Sequence, residues 1–77
     1  MSLVSEAIPL AVDAKRVAEM LGCSKRHIWR MNAAGKLPAS KRIGGCVRWA
    51  VQEIEEWLEA HCPDRETWEA MREGATR

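Results

Sequence analysis

The residues best suited to chemistry in this 77-residue chain are cations at helical spacing: Lys25, Arg26 and Arg30, with Trp29 among them, followed by Lys41, Arg42 and Arg48. A guanidinium donates in a planar fork that matches phosphate oxygens and the major-groove edge of guanine. Arginines on one helix face beside an aromatic ring therefore suit a polyanion. The remaining charge is sorted to agree. From Asp13 to Trp49 nine Lys and Arg stand against two acids, leaving +7, whereas residues 50–77 hold eight Asp and Glu against three Arg, leaving −5. The overall charge of +1 conceals this division. A chain so divided offers one side to an anionic partner. The plain alternative is a solvated surface, and for Arg42 and Arg48 it is edge charge that discourages strand pairing.

Other chemistry is poorly supported. Cys23, His27, Cys46, His61 and Cys62 supply enough donor atoms for zinc, but Cys23 precedes the helix start and no Cys-x2-Cys pair occurs, so no metal or other cofactor is expected. No catalysis and no small-molecule substrate are expected either. Acids collect in the C-terminal half, no phosphate loop is present, and no Ser or Cys has a positioned base. Three cysteines at irregular spacing read as free thiols in a reducing compartment. No run of eighteen apolar residues occurs, and Glu6 and Asp13 follow no basic leader. The expectation is therefore a cytoplasmic protein without a membrane span or signal peptide.

The elements that must position these cations follow from periodicity and punctuation. Ala14, Val17, Ala18 and Leu21 form an apolar stripe, capped by Asp13 and stopped by Gly22, which predicts a helix over 14–21. Ser24 can cap a second helix over 25–34, closed by Gly35 and barred from continuing by Pro38. On its wheel Ile28, Met31 and Gly35 face the first helix. Arg26, Arg30 and Ala33 lie opposite, Trp29 flanks them, and Lys25 stands in the first turn, where N–H groups favour phosphate. Asn32 could bond adenine or cap local backbone.

Strands over 40–43 and 47–49 surround Gly44 and Gly45. Placing Ile43, Val47 and Trp49 on one inner face demands a three-residue loop, Gly44-Gly45-Cys46, with Lys41 also inward and Arg42 and Arg48 outward together. Val51, Ile54, Trp57 and Leu58 predict a third helix over 51–60, core on one side and acidic on the other. Pro63-Asp64 can start a fourth, short helix over 64–73, whose Trp68 and Met71 would dock on the body or on a second copy. With 47% apolar residues the chain has room for one small core. The division read from the sequence is a flexible N-terminal segment over 1–9, one domain over 10–60, and an acidic C-terminal tail over 61–77. The class is mostly α with a small β-hairpin wing.

In this order and spacing, VAEMLGCS, IWR, AAGKLP, RIGGCVRW and EIEEWL resemble the small phage excisionase and AlpA-type regulators of the MerR-like winged helix-turn-helix superfamily. The resemblance runs from about Leu10 to Ala60. It implies a recognition helix, Lys25 to Ala33, entering the major groove, and a wing, Lys41 to Arg48, on an adjacent backbone or minor groove. The expected contact residues are Ser24, Lys25, Arg26, Trp29, Arg30, Ala33, Lys41, Arg42, Gly44, Gly45 and Arg48. The expected function is sequence-preferring binding of double-stranded DNA in excision or transcription control, with a homodimer, a cooperative oligomer, or a recombinase or polymerase partner adding affinity. Two other readings stay open: the DNA-recognition domain of a phage packaging subunit of small-terminase type, and a protein-interaction adaptor that works through the acidic half.

Overall fold

The computed structural model describes residues 9–75. The flexible segment expected over 1–9 lies, apart from Pro9, outside the described residues. The element order is β1 (Ala11–Val12), α1 (Ala14–Leu21), α2 (Lys25–Ala33), β2 (Lys41–Ile43), β3 (Cys46–Ala50), α3 (Val51–Glu59) and α4 (Arg65–Ala75). Among the described residues, four helices and a three-stranded antiparallel sheet of order β1-β3-β2 make the winged helix-turn-helix that the resemblance implied.

Local chemistry sets the helix boundaries. Asp13 caps α1 by accepting from Arg16 N at 3.0 Å, and Ser24 caps α2 by accepting from His27 N at 3.1 Å. Between them, Gly22 at φ +72° closes α1 while Cys23 N donates to Ala18 O and Gly22 N to Glu19 O, a Schellman turn that swings the chain sharply into α2. A second such turn ends α2, with Lys36 N on Met31 O and Gly35 N on Asn32 O. A third ends α3, with Cys62 N on Trp57 O and His61 N on Leu58 O. At this last turn the left-handed residues are His61 (φ +70°) and Cys62 (φ +57°) rather than glycine.

The apolar stripes converge on one core of Val12, Ala14, Val17, Ala18, Ile28, Leu37, Trp49, Ile54, Trp57 and Trp68. Burying three tryptophans removes on the order of 150–250 Å² each from water, an upper limit of about 4–6 kcal/mol apiece. Each indole N–H also finds an acceptor: Trp49 on Pro38 O, Trp57 on Pro63 O and Trp68 on a Glu53 oxygen. Trp68 brings α4 into the same core as α1 to α3, while Met71 is exposed.

The wing differs from expectation in register. Lys41 pairs with Arg48, Arg42 with Val47 and Ile43 with Cys46, so the loop is the two residues Gly44-Gly45, and Cys46 belongs to β3. Their φ angles, +56° and +92°, are those of a type I′ turn, whose twist matches the flanking strands. Ile43 consequently lies on the outer face, 54% exposed, and Lys41 with it, while Arg42 takes the inner face with Val47 and Trp49. The expected outward pairing of Arg42 with Arg48 is thereby replaced by placement on opposite faces. Burial explains why. The hairpin tip projects beyond the body: residues 42–46 are all exposed and Val47 is only half-buried, so no interior awaits Ile43 there. The hairpin is also less marginal than it looks alone, because β1, which periodicity did not reveal, pairs Ala11 with Ala50 and Val12 with Trp49.

Candidate nucleic-acid interface

Only Ile28 of α2 is fully buried, and Met31 and Asn32 are half-buried at its edges. This leaves Lys25, Arg26, Trp29, Arg30 and Ala33 exposed, as the wheel required, with Ser24 exposed at the cap. Lys25, Arg26, Arg30 and Arg42 make no ion pair among the described residues, whose pairs are Arg16 with Glu19 and Lys41 and Arg72 with Glu53. Unneutralised cations near the N-terminus of a helix attract anions through their side chains and through the positive end of the helix dipole.

Trp29 joins α2 to the wing. Its ring meets Trp49 edge-on, 5.6 Å between centroids at 62°, and stays 40% exposed, so it covers the root of the sheet while keeping one side open. Arg42 lies on the same face of the sheet as Trp49, the face against which Trp29 packs. The structure therefore unites Lys25, Arg26, Trp29 and Arg30 on one surface, with Arg42 turned the same way and Gly44 and Gly45 at the projecting tip.

Lys41 and Arg48 are placed differently. Lys41 Nζ lies 3.7 Å from Glu53 Oε1, and Arg48 Nη1 donates to Val47 O at 2.9 Å along its own strand. Glu53, only 12% exposed in its side chain, also accepts from Trp68 Nε1 at 2.9 Å and pairs with Arg72. Burial raises the pKa of this carboxyl. Hydrogen bonds from Trp68 and Arg72, with the charges of Arg72 and Lys41, outweigh burial and hold it below the ordinary glutamate value. Glu53 thus fastens β2, α3 and α4 together. The sequence shows it as one acid among several on a polar helix face, and nothing local marks it as the half-buried one.

A second unforeseen residue is Arg65, at the start of α4. Its Nε donates to Leu37 O at 2.9 Å, and its Nη2 donates to Asn32 O at 3.1 Å and to Asn32 Oδ1 at 2.7 Å. Asn32, read from sequence as an adenine reader or a local cap, points its amide oxygen at this guanidinium.

The profile of the helix-turn-helix domain family matches residues 12–62, about two thirds of the chain, from β1 through the end of α3. The chain belongs to that family. Among curated proteins and among solved structures no match was found. Helix-turn-helix domains of this excisionase and AlpA-like kind bind DNA, and DNA is the partner of this helix-turn-helix protein. Among the described residues no helix is long and apolar enough to cross a membrane.

Proposed function

We propose that this helix-turn-helix protein reads duplex DNA with a sequence preference, as an excisionase or small transcription regulator, placing α2 in the major groove and the wing on an adjacent backbone or minor groove. The observation that carries this reading is the face of α2, where Lys25, Arg26 and Arg30 stand exposed and unpaired among the described residues. Arg26 and Arg30 are the base-edge readers, since arginine binds guanine O6 and N7 bidentately. Lys25, Arg42 and the glycine tip take phosphate.

The geometry also limits what one copy can do. A nine-residue helix is about 13 Å long, the axial rise of about four base pairs. Specific affinity then comes from a second copy or from a protein partner bound beside it on the DNA. The test is anisotropy titration of a mixed-sequence duplex at several salt concentrations, followed by selection of a preferred duplex from a random pool. The two phosphate-facing cations, Lys25 and Arg42, give a slope of log K against log salt of roughly −2. Binding that ignores salt, or a selected pool with no common sequence, would overturn the reading.

A further inference from the structure

The chain segment that leaves the recognition helix is held from two directions. Residues 34–38 run from the end of α2 towards the wing. Leu37 and Pro38 are fully buried within this segment. From the wing, Trp49 Nε1 donates to Pro38 O at 2.9 Å. From α4, Arg65 donates to Leu37 O, Asn32 O and Asn32 Oδ1, and its own backbone N–H reaches Gly35 O at 2.9 Å. Arg65 lies beyond residues 12–62, so this hold is added to the helix-turn-helix by the segment that follows it.

We infer that Arg65 is a positioning residue for DNA reading, fixing the pose of α2 relative to the wing and so governing sequence discrimination rather than overall DNA affinity. This inference rests on the DNA reading above. Three carbonyl or amide oxygens on two different turns of chain are met by one rigid, planar donor set, and a guanidinium alone among side chains presents Nε and Nη in that fixed fork. A cation at the C-terminal end of α2 also suits the negative end of the helix dipole. Releasing the fork leaves α2 folded, since Ser24 and the Schellman turn close its two ends. It leaves α4 docked as well, since Trp68 stays in the core and the Arg65 backbone still reaches Gly35. What is lost is the angle of α2. Bidentate base contacts require sub-ångström placement, whereas phosphate contacts from flexible cations tolerate a shift.

The test compares wild type with Arg65→Met and Arg65→Lys on two probes, the duplex selected by the wild type and a mixed-sequence duplex, at a temperature where circular dichroism shows each variant fully folded. Both variants should lose about tenfold on the selected duplex, the loss of about one base contact, and less than twofold on the mixed one. Lysine should not rescue, because one ammonium cannot span both turns; if Arg65→Met does not fold, Arg65→Lys carries the comparison alone. Equal losses on the two duplexes, or full selectivity in the lysine variant, would overturn the inference while leaving the DNA reading standing. A wild type that selects no duplex would overturn both.

Discussion

Replacing Gly45 by valine isolates the backbone energy of the wing tip. Gly45 sits at φ +92°, and an ideal Cβ there would meet no heavy atom within 4 Å, so the substitution neither clashes nor packs. Its cost is conformational. A β-branched residue held at positive φ is strained by about 1–2 kcal/mol. At about 4–8 °C per kcal/mol for a domain of this size, the melting temperature should fall by roughly 5–15 °C. Gly44 provides the internal control. Its φ of +56° lies in the left-handed region that asparagine tolerates, and its Cβ position is equally open. Gly44→Asn should therefore leave stability unchanged or raise it by about 0.5 kcal/mol, because asparagine has less freedom to lose from the unfolded chain. Thermal melts followed by circular dichroism, with and without mixed-sequence duplex, decide the matter. In Gly45→Val, DNA binding should also fall further than the melt explains, since a branched side chain holds the tip away from the backbone. A Gly45→Val melt within 2 °C of wild type, or a Gly44→Asn melt as low as that of Gly45→Val, would refute the type I′ argument, the figure of 2 °C being set by the roughly 5 °C minimum expected.

Arg30→Ala should weaken binding to the selected duplex by roughly 1–3 kcal/mol and relax preference at one base pair, measured by anisotropy across single-base variants; equal loss on every sequence makes it a phosphate contact. Arg42→Ala should flatten the salt slope by about one unit, while Arg48→Ala, whose guanidinium folds back on Val47 O, should leave it unchanged in the same titration. Glu53 has a folded pKa below its ordinary value of 4.5, so its contribution is present above that pH and is lost as pH falls through the folded value. The melting temperature should drop on acidification below about pH 5, and Glu53→Gln should lower it at pH 7 and blunt that acid dependence.

What was legible in the sequence follows from how locally each signal is written. The boundaries of α1 and the start of α2 could be read because Asp13, Gly22 and Ser24 act on backbone groups within five residues of themselves. The outward set of α2 could be read because one buried residue, Ile28, orients the whole wheel. The wing register could not. It depends on where the body ends, and apolar pattern alone pulls Ile43 inward past the point where there is anything to pack against. β1 escaped because two residues carry no periodicity. Asn32, Glu53 and Arg65 escaped because their roles are set by partners 33, 15 and 28 positions away, and a polar residue on a polar helix face gives no sign of such a partner.

The turn between α3 and α4 carries one more implication. His61 and Cys62 are consecutive left-handed residues without the excuse of glycine, each strained by about 1–2 kcal/mol. Pro63 prevents the alternative in which α3 and α4 fuse into one rod, because its ring would collide with the preceding turn. The corner therefore stores strain that the docking of α4 must offset. The C-terminal helix is thus held by less net free energy than Trp68, Glu53 and the Arg65 hydrogen bonds would supply on their own.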